Sequence, residues 1–197
     1  LVGSEMCIRD SPYAGERRAG YVGQPLPGVQ VQLFDENDSP ITAEETPGEI
    51  RIQGNNVFLE YWDNPKATGE SFKDGWFCTG DVAVLEDDYY RIMGRSSVDI
   101  IKSGGYKLSA LEIEGVLLTH EAIAEVAVIG VADDTWGEAV TAFVALKPAS
   151  SLDYEQLKNW CEGKMSSYKI PKALKFVEAL PRNAMGKVTK PALHELL

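Results

Sequence analysis

Two polar segments of the sequence carry side chains that could bind a phosphorylated ligand. Asp81 ends the run Gly75–Asp81 (GWFCTGD), where a carboxylate can accept hydrogen bonds from both hydroxyls of a ribose; a plain turn residue is the alternative. Lys187 ends the run PRNAMGK, where a flexible ammonium can reach a phosphate as a point charge. This run lacks the spacing of the phosphate-binding loop G-x-x-x-x-G-K-[ST], so a solvated loop lysine is the alternative.

A third segment, SGGYK at residues 103–107, contains two adjacent glycines. Glycine adopts positive φ without steric cost and lets a backbone approach a ligand closely. A simple hairpin turn uses glycine in the same way, so both interpretations stay open for Gly104 and Gly105. A fourth segment, GEIRIQG at residues 48–54, has the pattern of a turn and a strand, and we expect it to be structural.

The elements that position these segments differ between the two halves of the chain. In the first half, residues 29–34 and 49–53 alternate apolar and polar side chains, which is typical of half-buried strands. Residues 82–85 and 89–93 predict a hairpin around the acidic turn Glu86–Asp88. The first half is therefore predicted to be rich in β-strands.

The second half alternates strand and helix patterns. Its predicted strands are residues 125–131, 140–146 and 174–177, and its predicted helices begin at Ser109, Asp153 and Pro191. The first helix opens with the capping pattern S-x-x-E and has Leu111, Val116 and Leu117 as its inward side chains. The second helix extends to about Met165. Together these patterns predict an α+β fold with a boundary near residues 95–98.

Composition excludes several classes of protein. The chain has 197 residues, of which 44% are hydrophobic and 25% charged, as in globular proteins. A net charge of −11 weighs against nucleic acid as a partner, and no apolar stretch is long enough to span a membrane. Three cysteines without a paired spacing predict neither a disulfide framework nor a zinc site. We expect an intracellular reducing compartment, either the cytoplasm or the mitochondrial matrix.

The negative charge is concentrated in the first half of the sequence. Residues 1–95 contain 8 basic and 17 acidic side chains, whereas residues 96–197 contain 11 and 13. Residues 158–190 reverse the balance, with eight Lys or Arg against two Glu. This segment suggests an anionic small molecule as ligand, and a solvated lysine face is the alternative.

Taken in order, the runs GEIRIQG, EYW, GWFCTGD, GR, DIIKSGGYKLSALEIE and PRNAMGK resemble the C-terminal part of the acyl-adenylate-forming (AMP-binding) superfamily. This superfamily includes acyl-CoA synthetases, adenylation domains of peptide synthetases and luciferases. The resemblance covers residues 20–190. It implies a β-rich remnant of the large domain at residues 11–95 and a small α+β C-terminal domain, with a mixed sheet flanked by helices, at residues 96–197.

The resemblance also implies roles for single residues. Asp81 holds the ribose hydroxyls of AMP, and Arg95 holds the ribose near the hinge between the large and small domains. Lys187 contacts the acyl carboxylate and the α-phosphate during adenylation, where it stabilises developing charge. The loop that faces the active site in the thioester-forming step consists of Ser103, Gly104, Gly105, Tyr106 and Lys107.

The implied reaction has two steps. A carboxylate attacks the α-phosphate of ATP and expels pyrophosphate, and coenzyme A then attacks the acyl-AMP and releases AMP. ATP and coenzyme A are the implied co-substrates. The family binds Mg²⁺ through a Glu that we expect upstream, so no metal ligand is expected in this segment. We therefore expect the 197 residues alone to be inactive and to be the end of a longer chain.

The residues after Arg95 depart from the usual family motif, and this departure bears on the hinge and on the substrate branch. Many family members have an Asp or Lys two positions after the arginine. Here Arg95 is followed by Ser96, Ser97 and Val98 before Asp99, which makes this segment one residue longer than the family form. Ser97, Val98 and Asp99 are therefore all hinge candidates. This longer form, with SGGYKLSALEIE and PRNAMGKV, resembles the malonate–CoA ligase branch (malonyl/methylmalonyl-CoA synthetases).

The segment SPYAGER at residues 11–17 resembles the same branch. Its arginine binds the second carboxylate of the diacid there, and Arg17 matches that position; a planar, permanently charged guanidinium suits a carboxylate. A surface arginine beside Arg18 is the alternative. Residues 1–10 do not resemble the family, and we expect them to be a cloning, assembly or translation artefact.

A second function class remains open from the sequence. The chain could be a non-enzymatic nucleotide- or coenzyme-binding module, or a degenerate relative, since parts of the catalytic machinery are missing. The joint presence of Asp81, Arg95 and Lys187 weighs against that interpretation. Within the enzyme class, another acyl-CoA synthetase, a peptide-synthetase adenylation domain and a luciferase are the rivals.

Overall fold

The computed structural model describes residues 9–10 and 16–197. Two stretches lie outside the described residues: the predicted leader, of which only the backbone of Arg9–Asp10 is described, and residues 11–15. The strands are β1 (Arg9–Asp10), β2 (Gln24–Pro25), β3 (Val29–Phe34), β4 (Pro40–Ile41), β5 (Gly48–Gly54), β6 (Phe72–Lys73), β7 (Trp76–Glu86), β8 (Tyr89–Arg95), β9 (Ile100–Ser103), β10 (Tyr106–Ser109), β11 (Ile123–Asp133), β12 (Gly137–Leu146) and β13 (Ala173–Phe176). The helices are α1 (Pro65–Ser71), α2 (Ala110–Leu117), α3 (Tyr154–Cys161) and a 3₁₀ helix (Lys190–Leu196).

The chain separates into two compact units, Leu1–Ser96 and Ser97–Leu197. Strands dominate both units, and the predicted α+β class is confirmed. Among the described residues, no helix is both long and apolar enough to cross a membrane. The assignment of residues 11–95 and 96–197 to two parts of an enzyme stays a prediction.

The first unit is built on an antiparallel sheet with the order β4-β3-β5-β7-β6, in which β8 pairs with β7. Its core contains Leu33, Ile50 and Ile52, the inward side chains of the alternating strands. The predicted hairpin is confirmed, and its turn residues Asp87 and Asp88 have φ of 46° and 65°. Two such residues make the turn that matches the twist of paired strands.

The second unit has a mixed sheet with the order β10-β9-β12-β11, in which β13 runs parallel to β12. Helix α2 packs on this sheet through Ala110, Ile113 and Leu117, which are at most 1% exposed. The predicted inward position of Leu111 is wrong, since 44% of that residue is exposed. Positions i, i+3 and i+7 lie on one helix face, and Leu111 falls outside that stripe.

Helix α3 is shorter than its predicted extent to about Met165. It begins with a complete capping box between Asp153 and Gln156 and ends at Cys161. Glu162 is non-helical, with ψ of 129°, and Gly163 has a positive φ of 77°, so the chain turns away from the helix axis there. The last predicted helix is a 3₁₀ helix that begins one residue before Pro191.

Candidate functional site

Asp81 and Arg95 lie opposite each other on the antiparallel strands β7 and β8. Arg95 Nε is 3.0 Å from Asp81 Oδ1, and Arg95 Nη1 donates to the carbonyl of Thr79 at 2.7 Å. The Asp81 side chain is 10% exposed, whereas that of Arg95 is 53% exposed. The structure therefore brings together two residues that the family resemblance assigns to one ribose.

Gly80 allows this close approach. Its φ is +74°, and an added Cβ would lie 3.2 Å from Arg95 Nη1. The Thr79 hydroxyl accepts a hydrogen bond from the Asp81 backbone N–H and donates to the carbonyl of Ile50. The backbone that carries the Asp81 carboxylate is thus fixed to β5, and a fixed carboxylate needs no reordering to accept hydrogen bonds from a ligand.

The SGGYK segment is a two-residue hairpin turn between β9 and β10, with Ser103 paired to Tyr106. Gly104 and Gly105 have φ of +58° and +83°, which accounts for both glycines. The Gly104 N–H donates to the carbonyl of Trp136 at 2.8 Å, and a Cβ on Gly104 would lie 3.2 Å from the Trp136 ring. The turn is therefore held against a second loop of the same unit.

Exposed aromatic rings surround this hairpin turn. Tyr106 stacks on Tyr168 with ring centroids 4.6 Å apart and an interplanar angle of 9°. Trp136 is 40% exposed, and Lys172 Nζ lies 4.8 Å from the centre of its ring. The sequence analysis did not single out Trp136 or Tyr168, because only the tertiary fold brings them to the turn; Lys172 entered it only as one of eight basic residues.

Lys187 lies on a tight turn in the second unit. Arg182 and Val188 pair across the turn, and the Gly186 N–H donates to the carbonyl of Asn183 at 2.9 Å. Arg182 Nη1 donates to the carbonyl of Gly186, and Arg182 also forms an ion pair with Glu125. The Lys187 side chain is exposed, so a cationic group projects from a fixed backbone.

Asn183 organises this turn and was not predicted as a site residue. Its Oδ1 accepts hydrogen bonds from the backbone N–H groups of Met185 and Lys187, both at 3.0 Å. An asparagine that bonds the backbone two residues ahead is a recurrent turn signal, and it was available in the run PRNAMGK. Asn183 therefore fixes the backbone position from which Lys187 projects.

Asn183→Ala is expected to make the Met185 and Lys187 backbone amides exchange with solvent about 10-fold faster, because it removes the acceptor for both N–H groups. Amide hydrogen exchange measures this loosening of the turn directly. Asn183→Asp keeps an acceptor oxygen and is expected to have a smaller effect. Equal amide exchange in Asn183→Ala and the wild type would contradict the role of Asn183 in the turn.

The hinge candidates connect the two units. The Ser96 N–H donates to the carbonyl of Gly80 within the first unit. Within the second unit, the Asp99 carbonyl accepts from Ala110 N–H at 2.8 Å, and the Asp99 carboxylate pairs with Lys190. Of the three hinge candidates, Asp99 is therefore the one that these bonds fix within the second unit.

Arg17 and Arg18 differ in their surroundings. The Arg18 guanidinium pairs with Glu16 and Asp87 and lies 4.6 Å from the centre of the Tyr89 ring. Arg17 is exposed, and among the described residues no ion pair is formed by it. Arg17 is thus the arginine of this pair that presents its guanidinium to solvent.

No group of three or more His, Cys, Asp or Glu side chains within residues 9–10 and 16–197 is arranged to hold a metal ion.

The fold matches a known class of enzyme domain. Residues 112–187 match the family described as AMP-binding enzyme C-terminal domain. The ATP-bound MatB structure from Rhodopseudomonas palustris superposes with a TM-score of 0.82 at 36% identity, over 96% of this chain and 38% of that one. The predicted resemblance to the acyl-adenylate-forming superfamily is confirmed, and residues 112–187 belong to its C-terminal domain family.

The similarity extends to particular enzymes. The chain is 48% identical to the mitochondrial malonate–CoA ligase ACSF3 of Bos taurus, over 91% of this chain and 34% of that protein. It is 46% identical to a malonate–CoA ligase of Arabidopsis thaliana, over 95% of this chain and 32% of that protein. The chain thus resembles the C-terminal part of malonate–CoA ligases, and it spans about a third of the length of these curated relatives.

Proposed function

We propose that this chain is the C-terminal part of an ATP-dependent acid–CoA ligase that converts malonate, through malonyl-AMP, to malonyl-CoA. The observation that carries the proposal is the Asp81–Arg95 pair on a fixed hairpin, together with the exposed Lys187 on its own fixed turn. These are the two parts that an adenylating enzyme needs: an acceptor for the ribose and a cation for the α-phosphate. The similarity to malonate–CoA ligases supports this assignment.

In the first step, a malonate oxygen attacks the α-phosphorus of ATP, and the bond to pyrophosphate breaks. Asp81 accepts hydrogen bonds from the ribose hydroxyls, and Arg95 orients Asp81 while it contacts the ribose. The Lys187 ammonium lies against the acyl carboxylate and the α-phosphate. Its charge stabilises the extra negative charge of the transition state, which is the largest contribution expected of a single residue here.

In the second step, the thiol of coenzyme A loses its proton to solvent, its sulfur attacks the acyl carbonyl carbon, and the carbon–oxygen bond to AMP breaks. The hairpin turn at Gly104 and Gly105 presents only backbone, which leaves room for the pantetheine arm. The exposed ring of Trp136 and the Lys172 ammonium beside it suit the adenine and the phosphates of coenzyme A.

The hinge of this proposal is Ser97–Val98. Ser96 is bonded within the first unit and Asp99 within the second, so the residues between them are left to absorb a change in backbone angles. The proposed rotation exchanges Lys187 for the loop 103–107 between the two steps.

Arg17→Met in the intact ligase is expected to raise the KM for malonate about 10- to 100-fold, because a charge-assisted, bidentate contact with the second carboxylate is lost. Arg18→Met is the matched control, since Arg18 is already paired with Glu16 and Asp87. AMP release should be measured with malonate, methylmalonate, acetate and longer acids. A preference of the wild type for monoacids would overturn malonate as substrate and leave acid–CoA ligation standing.

We also propose that the 197 residues are inactive on their own, because the chain spans about a third of its relatives. Coenzyme A-dependent AMP release by the isolated chain would contradict this. Binding of AMP or coenzyme A without turnover is expected both of a ligase fragment and of a binding module, so the activity of the intact protein separates the two. The word mitochondrial in the name of the Bos taurus relative favours the mitochondrial matrix over the cytoplasm as the compartment.

A further inference from the structure

Three charged side chains form a nearly buried cluster in the second unit. Lys190 Nζ lies 2.6 Å from Asp99 Oδ1 and 2.8 Å from Glu114 Oε1. The three side chains are only 11–13% exposed. Lys190 begins the 3₁₀ helix, Asp99 directly precedes β9, and Glu114 lies on α2, so the cluster joins three separate elements.

Glu114 has a further bond that fixes its position in the cluster. Glu114 Oε1 also accepts from the Val128 backbone N–H at 2.7 Å, which adds β11 to the group. Burial raises the pKa of Glu114, and the hydrogen bond from Lys190 opposes that rise. Buried charges are costly unless they are paired, so removal of one partner is felt by the others.

The cluster is directly connected to the turn that carries Lys187. Lys190 follows Lys187 by three residues, and between them the Thr189 N–H donates to the carbonyl of Pro181 at 2.8 Å, which closes the base of the turn. At its other side, the cluster holds Asp99, the first residue after the hinge segment Ser97–Val98.

We propose that Lys190 is a positioning residue for adenylation: its bonds to Asp99 and Glu114 make the Lys187 turn and the residue after the hinge parts of one rigid body. Rotation at Ser97–Val98 then carries Lys187 to a defined position, because the Lys187 turn cannot move relative to Asp99. The proposal rests on the proposed function. Lys190 itself contacts no substrate and acts through Lys187.

The test compares the two half-reactions in the intact ligase. Lys190→Met is expected to lower acid-dependent ATP–pyrophosphate exchange about 10- to 100-fold, since small displacements of a catalytic group have effects of this order. Thioester formation from supplied malonyl-AMP and coenzyme A is expected to stay near the wild-type rate. Lys190→Arg keeps the charge and is expected to restore much of the exchange rate. A uniform loss of both half-reactions at an unchanged melting temperature would overturn the proposal.

Milder variants test the same positioning role if Lys190→Met fails to fold. Asp99→Asn and Glu114→Gln keep the shape and remove one charge of the cluster, and both are expected to slow pyrophosphate exchange selectively. Glu112→Gln is the matched control, because it makes the same change on the same helix at a residue paired with Lys169 instead. Equal effects of Glu112→Gln and Glu114→Gln would overturn the proposal.

Amide hydrogen exchange separates this inference from the proposed function. The Lys187 and Thr189 amides are expected to exchange faster in Lys190→Met and Glu114→Gln than in the wild type and Glu112→Gln. If these amides exchange faster in a protein that shows no acid-dependent pyrophosphate exchange, the positioning role of Lys190 is supported and the ligase assignment fails. Unchanged amide exchange with normal ligase activity would overturn the positioning role and leave the ligase assignment intact.

Discussion

Lys187→Ala in the intact ligase is expected to lower the rate of acyl-adenylate formation about 10²- to 10³-fold. In the proposed mechanism the ammonium supplies a positive charge where negative charge develops between the acyl carboxylate and the α-phosphate, and loss of one such group has effects of this size. The turn holds the Lys187 backbone through Asn183 before any ligand binds, so little of the contribution is spent on ordering the loop. Acid-dependent ATP–pyrophosphate exchange measures the step directly.

The same variant is expected to form the thioester from supplied malonyl-AMP at nearly the wild-type rate, because the proposed rotation replaces Lys187 by the loop 103–107 in that step. Lys175→Ala is the matched control, since it removes the same charge from an exposed lysine on β13 of the same unit. Equal loss of both half-reactions in Lys187→Ala would contradict the assigned role. A comparable loss in Lys175→Ala would point to general electrostatic attraction of ATP.

The local pattern of the sequence was sufficient for most strands. Residues 29–34 form β3 as predicted, with Val29, Val31 and Leu33 on the core of the first unit, although Phe34 on the opposite face is buried as well. The hairpin of β7 and β8 was predictable from its acidic turn, whose two residues adopt the positive φ that the turn needs. Helix α2 was predicted at the right place, and Leu117 is buried as predicted, whereas Leu111 is exposed and Ala110 and Ile113 lie on the sheet instead.

The sequence predicted a residue of the candidate site only if that residue lies in a recognisable motif. Asp81 and Arg95 are 14 positions apart, and the antiparallel register of two adjacent strands brings them together. Lys190 was counted with the basic segment that favours a polyanion, yet it is bonded to Asp99, which lies 91 positions away. A solvated lysine face and a buried ion pair have the same sequence pattern, and only the tertiary fold distinguishes them.

Asp81→Asn is expected to lower kcat/KM for ATP about 10- to 100-fold. The amide keeps one acceptor oxygen and presents N–H donors in place of the other, so one of the two ribose hydroxyls loses its acceptor; a hydrogen bond to a charged group contributes about 1.5–3 kcal/mol. The substitution also removes the charge that holds Arg95 Nε at 3.0 Å. Asp88→Asn is the matched control, because it changes a carboxylate at the turn of the same hairpin, where asparagine accepts the positive φ of 65°.

Deoxynucleotides turn this expectation into a test of the ribose contact itself. The wild type is expected to use 2′-deoxy-ATP and 3′-deoxy-ATP less efficiently than ATP. Each analogue lacks one of the two ribose hydroxyls that donate a hydrogen bond to Asp81 in the proposed site. In Asp81→Asn, the penalty for at least one of the two deoxynucleotides should become smaller, since the hydrogen bond that it reports is already lost. If the penalties stay the same while kcat/KM falls, Asp81 acts through Arg95 and the hairpin rather than on the ribose. The pair would then be a structural brace, and the ribose site would lie elsewhere in the intact ligase.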